Sequence, residues 1–470
     1  MKYQLIKYYF LFLLSSFGVV MVNAQDSIPT NTLSYEEFMG YLKAHHPLVK
    51  QANLKLSLGE ANLLKSRGGF DPKISVDYDR KKFKETEYYD ILNTTFKIPT
   101  WYGIEFKANY ENNTGAFLNP SLTVPEDGLY SAGVSFSVLQ GFLMNDRMAT
   151  LKKAKHFVDQ TTAERDLMIN TLLYEASLAY FNWIEAYNEQ KIYASFIENA
   201  DFRLQAIKRS IEVGDLAPID STEAKIILQS RLLGLENAML NTRKAALKAS
   251  NFIWINDVPV ELKDDIIPEN PTDEILESSL LAEDMYNNNE LLDSHPKLRA
   301  LDAKLNVLNV DRALKANKLL PKLDLEYNFL NTEFDDFDNY MTSNYKAGVN
   351  FSLPLFLRKE RGDLKLAKIK IAETEFERTS EAVSIQNKIT AIQNTINSLE
   401  TQKGITREMV ENYKTLINAE ERKFSVGESS LFLINSREKS LIDAELKQNE
   451  LNIKFLESKA ELFYTMGTNL

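Results

Sequence analysis

Residues 213–220 read VGDLAPID, and Val213 is the last of 71 residues, from Leu143, that include neither glycine nor proline. Apolar residues recur within this run at intervals of three and four, as in an amphipathic helix. At a rise of 1.5 Å per residue, the run predicts one helix of about 100 Å, over residues 143–213. No globular core is that deep, so the sequence favours an elongated architecture.

A second stretch of the same kind lies in the other half of the chain. Residues 424–431 read FSVGESSL and overlap the end of segment 363–426, in which Gly404 is the only glycine and proline is absent. This pattern predicts a second long helix over about 359–426. Shorter helices are expected at about 34–67, 219–254, 291–318 and 431–466. They would pack antiparallel beside the long helices in a coiled-coil arrangement.

The two halves repeat each other. His45-His46-Pro47 is echoed by Ser294-His295-Pro296, and PKISVDY at 72–78 is echoed by PKLDLEY at 321–327. GVSFS at 133–137 recurs as GVNFS at 348–352, but at a shorter spacing, which locates an insertion of about 35 residues near 83–115. An internal duplication is therefore expected, with a first repeat over 25–270 and a second over 271–470.

Strands are predicted at about 70–139 and 322–353, where apolar and polar residues alternate. One example is Ile74, Val76 and Tyr78, which alternate with Ser75, Asp77 and Asp79. Such strands suit a transmembrane barrel with apolar residues towards lipid and polar residues towards a lumen. An ordinary sheet with one face on a core has the same period. Two principal strands per half make four per chain, too few to close a barrel, so three copies would supply twelve.

Composition and the N-terminus set the broad class. The net charge is −11, from 55 Lys and Arg against 66 Asp and Glu. This acidic balance does not suggest the basic surface that nucleic-acid binding requires. Cysteine is absent, which excludes disulfides and Cys-ligated metals. Residues 1–24 combine a charged start, a short apolar run and a small residue at Ala24, so they are expected to form a secretory signal peptide.

Motifs for chemistry are missing. The four histidines, His45, His46, His156 and His295, have no metal-ligand spacing, and the repeated His-Pro is more simply a helix start. Residues 335–338 read DDFD, but they lack the glycine and glutamate of a calcium loop, and they are expected to form a solvated loop. No phosphate loop or nucleophile elbow appears. We therefore expect no enzyme activity, no cofactor and no metal.

Taken together, these motifs make the chain resemble the TolC-like outer membrane efflux protein family. The resemblance rests on the duplicated His-Pro, the Pro-Lys step into a strand, FSLPLF at 351–356 and the paired helix tips. It implies an internally duplicated, mainly α fold with long coiled-coil helices forming an α-helical barrel, plus a 12-stranded transmembrane β-barrel, assembled as a trimer. A mixed belt would include residues 255–290. The function implied is a passive outer membrane conduit, opened by a periplasmic adaptor and an inner-membrane pump.

The same resemblance assigns roles to the tips. The adaptor-contacting tips would be Val213, Gly214, Asp215, Leu216, Ala217 and Pro218, with Val426, Gly427, Glu428, Ser429, Ser430 and Leu431. The candidate periplasmic gate is Asp220, Glu223, Leu433 and Ser436. Relatives often carry acidic residues at the places of Leu433 and Ser436, so an acidic ring from the second half is not expected here. Asp220 is interpreted either as a latch or pore residue or as a helix N-cap.

The chain departs from the family in two respects, and its sequence also allows a rival function. Many relatives are anchored through an N-terminal cysteine, and without one the barrel itself is expected to hold the protein in the membrane. The insertion near 83–115 either extends a hairpin or changes the strand pairing. The rival to the conduit is a periplasmic coiled-coil adaptor or structural envelope protein, and an exported hydrolase is disfavoured by the missing nucleophile.

Overall fold

The fold was analysed in a computed structural model that describes residues 32–271, 294–333 and 343–467. The expected signal peptide, most of the expected belt segment and the DDFD loop lie outside these residues. Seven α-helices occur in the described parts: α1 Tyr35–His45, α2 Pro47–Arg67, α3 Asp146–Glu212, α4 Pro218–Ser250, α5 Pro296–Asn317, α6 Arg358–Ser425 and α7 Leu431–Met466. Ten strands accompany them: β1 Thr32–Leu33, β2 Lys73–Phe83, β3 Thr86–Pro99, β4 Ile104–Thr114, β5 Leu129–Ser137, β6 Trp254–Ile255, β7 Val258–Pro259, β8 Ile267–Pro268, β9 Lys322–Asn331 and β10 Tyr345–Ser352.

Two very long helices set the length of the molecule. Helix α3 has 67 residues and α6 has 68, so each extends for about 100 Å. Helix α3 begins at an Asn145 N-cap, whose side chain accepts a hydrogen bond from the Met148 amide. The described helices form a single layer in which α6 packs on α5 and α7, these two pack on α3, and α3 packs on α2 and α4.

The helix expected over about 34–67 is two helices, and this corrects the sequence interpretation. Helix α1 ends at His45 and α2 begins at Pro47. His46, between them, has φ −68° and ψ 133°, the extended conformation that a following proline favours. The Pro47 ring also has no N–H to donate to the preceding turn. A continuous helix is therefore interrupted at this position.

Both His-Pro pairs lie at helix starts, as predicted. His46 Nδ1 accepts a hydrogen bond from the Leu48 amide at 3.1 Å, and His295 Nδ1 accepts one from the Lys297 amide at 3.1 Å. The opposite ring nitrogen of His46 bonds the Asn251 carbonyl at 3.3 Å, just after α4. His295 bonds the backbone of Thr465, in the last turn of α7. Each histidine thus joins the start of one helix to the end of another, which stacks α2 on α4 and α5 on α7.

The main sheet contains six strands in the order β10-β9-β5-β4-β3-β2, all antiparallel. The expectation of four principal strands per chain is therefore wrong. The additional pair is the hairpin β3–β4, which coincides with the insertion predicted near 83–115. It lengthens the meander from β2 to β5 and so changes the strand pairing. Within the described residues the sheet is open, with β10 and β2 as its edges.

One face of this sheet is apolar and the other is polar. The ladder register places the following apolar residues on one face: Ile74, Val76, Tyr78, Leu92, Phe96, Ile98, Ile104, Phe106, Tyr110, Tyr130, Val134, Phe136, Leu323, Leu325, Tyr327, Phe329, Tyr345, Val349 and Phe351. The polar face carries Lys107 and Glu326, whose Nζ and Oε1 atoms lie 3.4 Å apart. Lys346 and Glu111 form a second ion pair there, at 3.5 Å.

The largest core lies about halfway along α3. Tyr180, Phe181 and Trp183 of α3 are almost fully buried against α1, the end of α4 and α7. The Tyr180 hydroxyl donates to the Leu33 carbonyl at 2.7 Å and holds the short parallel pair β1–β8 against the helix. Burial in this core raises the pKa of Tyr35 to about 12, and its hydroxyl bonds Ser177 at 2.7 Å.

The histidine caps predict a loss of stability in mild acid. Burial lowers the pKa of both His46 and His295, so the folded state favours the neutral ring that can accept at Nδ1. This stabilisation is present above the unfolded pKa of about 6.5 and is lost as the pH falls through the lower folded value. We expect a loss of up to about 1 kcal/mol per cap. Thermal unfolding of purified protein at pH 7.5 and pH 5.0 measures it.

The control is the double variant His46→Asn, His295→Asn. Asparagine also caps helices, but it does not titrate in this range. The variant should therefore lose less stability than the wild type between the two pH values. An equal loss in both proteins would contradict the assignment.

Candidate functional site

The two helix tips predicted from the glycines share one geometry. Gly214, after α3, has φ +87°, and Gly427, after α6, has φ +78°. Asp215 N donates to the Ser210 carbonyl at 2.8 Å, and Glu428 N donates to the Lys423 carbonyl at 2.8 Å. These bonds and the left-handed glycine form the C-terminal motif that satisfies the last carbonyls of a helix. Both tips are therefore tight, hydrogen-bonded turns.

The next helix starts differently at each tip. Asp220 Oδ2 accepts a hydrogen bond from the Ala217 amide at 3.2 Å, in the first turn of α4 after Pro218. In the other half, the Ser430 hydroxyl accepts from the Leu433 amide at 3.4 Å. Asp220 thus has the capping contact that was one of its two interpretations, although it is the third residue of the helix and not the N-cap.

The two tips lie together at the same end of the helical layer. Leu204 and Ile207 of α3, Ala224 of α4 and Leu431 of α7 form a small buried cluster. Leu216 of the first tip and Phe424, which precedes the second, pack against this cluster. Ser429, in the second tip, bonds the Glu420 carboxylate. The predicted tip residues of the two halves are therefore brought into one site.

Apolar side chains project from this site. Val213 is 72% exposed and Val426 is 70% exposed, at equivalent places before the two glycines. Ile219 and Phe432, in the first turns of α4 and α7, are each 70% exposed. Four exposed apolar side chains therefore lie at this end of the molecule and are called the tip patch below.

The candidate gate residues lie just beyond the tips. Asp220 and Glu223 of α4 are half-buried, whereas Leu433 and Ser436 of α7 are exposed. Glu223 Oε1 accepts a hydrogen bond from Asn435 Nδ2 at 3.4 Å, which links α4 to α7. The two pairs thus differ in both charge and exposure.

A buried ion cluster close to the tips was not found from the sequence. Glu438 of α7 is 1% exposed, and its carboxylate accepts two hydrogen bonds from Arg203 of α3, at 3.2 and 3.3 Å. Arg231 of α4 lies 3.5 Å from the same carboxylate, and Glu421 of α6 lies 3.4 Å from Arg203. One residue from each of four helices takes part, so the cluster ties both halves of the chain together near the tips.

Two other kinds of site are not found in the described part of the chain. No helix there is both long enough and apolar enough to cross a bilayer. No group of histidine and carboxylate side chains within the described residues is arranged to hold a metal ion. The tip patch and the two-faced sheet lie at opposite ends of α3 and α6.

The protein is therefore elongated and mainly helical. An open antiparallel sheet lies at one end of helices about 100 Å long, and the paired tips lie at the other end. The family model described as outer membrane efflux protein matches residues 288–468. The predicted resemblance to this family is thereby confirmed.

Solved structures extend the likeness in fold to nearly the whole chain. The Campylobacter jejuni CmeC outer membrane channel is 14% identical with a TM-score of 0.65, covering 92% of this chain and 85% of that one. The Neisseria gonorrhoeae MtrE outer membrane channel is 13% identical with a TM-score of 0.66, covering 93% and 89%. The Vibrio cholerae outer membrane protein VceC is 12% identical with a TM-score of 0.65, covering 92% and 96%. No curated protein sequence matches the chain.

The ion cluster predicts a large effect at one glutamate. Replacing Glu438 by Ala leaves Arg203 and Arg231, whose side chains are only 11% and 12% exposed, without their shared counter-charge. This should destabilise the fold by roughly 3–5 kcal/mol. Glu421→Ala is the matched control, because Glu421 is 46% exposed and such pairs contribute about 1 kcal/mol or less. Chemical unfolding of the two variants measures the difference. Equal stability of the two would show that the buried pairing contributes little.

Proposed function

We propose that the chain is the outer membrane channel of a tripartite export system, a passive conduit for small molecules across the periplasm and outer membrane. It would be opened by a periplasmic adaptor and an inner-membrane pump, with no catalytic step of its own. The observation that carries the proposal is the sheet. Its apolar face is continuous over six strands, and it lies at one end of helices long enough to reach far from the membrane.

The apolar face suits lipid better than a protein core. Val349 is 73% exposed, Ile74 67% and Phe351 61%, and described residues do not cover the face at these positions. A water-soluble protein rarely exposes so extended an apolar surface. Lipid contact on this face, with the charged face towards a lumen, gives each side of the sheet the solvent that its side chains require.

The rival function, a periplasmic adaptor or structural protein with a soluble β-domain, needs a cover for the same face. In that case helices or loops would bury Ile74, Val349 and Phe351. The described helices instead pack on one another in a separate layer. The exposed face therefore favours the conduit.

The channel wall requires further copies of the chain. We take the assembly to be a trimer in the outer membrane, with the helices enclosing a periplasmic tunnel. The corresponding helices, His-Pro caps and glycine tips of the two halves support an internal duplication, with repeats at 25–270 and 271–470. The matching ends of α3 and α6 support a position of both tips at the periplasmic mouth.

The tips are proposed to grip the adaptor. The exposed Val213 and Val426, each beside a glycine turn, would supply apolar contacts. The flanking segments 214–218 and 427–431 would supply backbone and polar ones. Asp220, Glu223, Leu433 and Ser436 would line the mouth as its gate. Of these four residues only Asp220 and Glu223 are acidic, so the acidic side chains at the mouth would come from the first half of each chain.

Membrane assembly tests the orientation of the sheet. Val349→Arg should impair assembly, since a cation facing mid-bilayer lipid costs about 2–4 kcal/mol. Asn350→Arg is the matched control, because the neighbouring residue lies on the polar face. The two variants are compared by the amount of oligomer recovered in outer membrane fractions. The oligomer is recognised on gels because heating dissociates it. Normal recovery of Val349→Arg would contradict lipid exposure of this face.

Adaptor binding tests the tips. The double variant Val213→Asp, Val426→Asp places charges in the exposed tip patch, far from the sheet. It should assemble in the outer membrane at the wild-type level but lose at least tenfold in export of a reporter substrate. Site-specific photocrosslinking from position 213 in the otherwise unchanged protein should capture an adaptor. Full export by the double variant would remove the tips from the adaptor interface.

A further inference from the structure

The six-stranded sheet has two open edges of unequal character. Beyond β10 and beyond β2 there is no further strand among the described residues. The β10 segment 347–352 reads AGVNFS and has no charge, no proline and no bulge. Such an edge is a template for pairing with another chain unless it is occupied. In a bilayer its backbone groups must be paired, because lipid offers no hydrogen bonds.

We propose that β10 of one copy pairs with β2 of the next, so that the trimer closes an 18-stranded barrel in place of the twelve strands that the family resemblance implied. This inference rests on the proposed function. Each chain contributes six alternating strands, so β10 and β2 run in opposite directions. Repeating the sheet head to tail therefore keeps every junction antiparallel and leaves no edge.

The helical layer shows the same edges. Its order is α6, then the stacked pair α5 and α7, then α3, then the stacked pair α2 and α4. Strand β10 leads into α6, and β2 follows α2. The open edges of the sheet therefore belong to the same two flanks as the open edges of the helical layer. A neighbouring copy placed at one flank can pair with both layers at once.

With the extra hairpin, the strands of the assembled trimer span about the same perimeter as its helices. Four helical columns per chain, at 8–10 Å each, give a trimer a perimeter of about 95–120 Å. A strand tilted at about 40°, with 4.8 Å between neighbours, takes about 6 Å of perimeter, so eighteen strands span about 115 Å. Twelve would span about 75 Å on the same spacing. The six-stranded sheet thus continues the helical tunnel without narrowing it.

Side chains at the edges favour one register. With Val76 of β2 opposite Val349 of β10, Ile74 faces Phe351 and the apolar face continues across the junction. Asp79 then lies opposite Lys346, an opposite-charge pair that stabilises strand pairing. A shift of two residues that places Val76 opposite Phe351 sets Lys81 against Lys346, which is unfavourable. The opposite shift, with Val76 opposite Ala347, sets Asp77 against Lys346 but offsets the ends of the two strands. Both strands also end together at the helical side, at Lys73 and Ser352.

Disulfide crosslinking tests this junction directly, because the natural chain has no cysteine. The test variant carries Val76→Cys and Val349→Cys, with Ala347→Cys and Phe351→Cys as the alternative partners of Val76→Cys at a shift of two residues. Directly opposite residues in antiparallel strands have Cα atoms 4.5–5.5 Å apart, within disulfide range. Oxidation of the outer membrane fraction should give covalent dimers and then trimers on non-reducing gels. Bands larger than three chains should be absent.

The control variant carries Phe106→Cys and Val349→Cys. Phe106 lies on the apolar face of β4, two strands from the β2 edge, so the 18-stranded ring predicts no crosslink. If the β2–β3 hairpin stayed outside a 12-stranded barrel, β4 would become the edge and this pair would crosslink instead. That result, or a ladder ending at two chains, overturns the inference.

The same experiment separates the inference from the proposed function. A trimer recovered in the outer membrane without any link from Val76→Cys to the three β10 positions overturns the 18-stranded closure and leaves the channel intact. Protein that stays soluble and monomeric without detergent overturns the channel itself. Crosslinked trimers from the Val76→Cys pair, with none from the Phe106→Cys pair, support both.

Discussion

The structure depends on a register that keeps most of the apolar side chains of six strands on one face. Strand side chains alternate, so a slip of one residue at any of the five junctions would turn a whole strand over. The observed pairing has one such irregularity, between Lys81 and Lys82 of β2, near the turn that joins it to β3. From Lys73 to Lys81 the alternation is unbroken. A sheet with two such different faces needs an apolar environment on one side and water on the other.

The helices determine how far the molecule extends from the sheet. Helices α3 and α6 contain neither proline nor a left-handed glycine, so their hydrogen bonds continue without interruption. The shorter helices cannot match that length alone. His46 and His295 join them end to end, with one ring nitrogen capping a helix start and the other bonding the end of another helix. A neutral imidazole is suited to this role, since it accepts at one nitrogen while it donates at the other.

Sequence periodicity predicted the long helices, the tips and the alternation of β2, β4 and β10, because each depends on local pattern. It did not predict β3 as a principal strand, since Ile91 lies on the polar face and weakens the alternation. The Arg203–Glu438 contact joins residues 235 positions apart, and no local pattern marks it. The break at His46 was missed although Pro47 follows it directly. The missed features arise from pairings across the chain or from one backbone angle.

The two halves of the chain have long helices of nearly equal length but contribute different numbers of strands to the sheet. Their long helices agree to within one residue, 67 against 68, which corresponds to about 1.5 Å. A larger mismatch would set one tip above the other and separate the side chains of the shared tip cluster. At the opposite end the first half contributes four strands and the second two. An added hairpin widens a sheet without lengthening it, so the insertion changes the width of the sheet while both tips stay level.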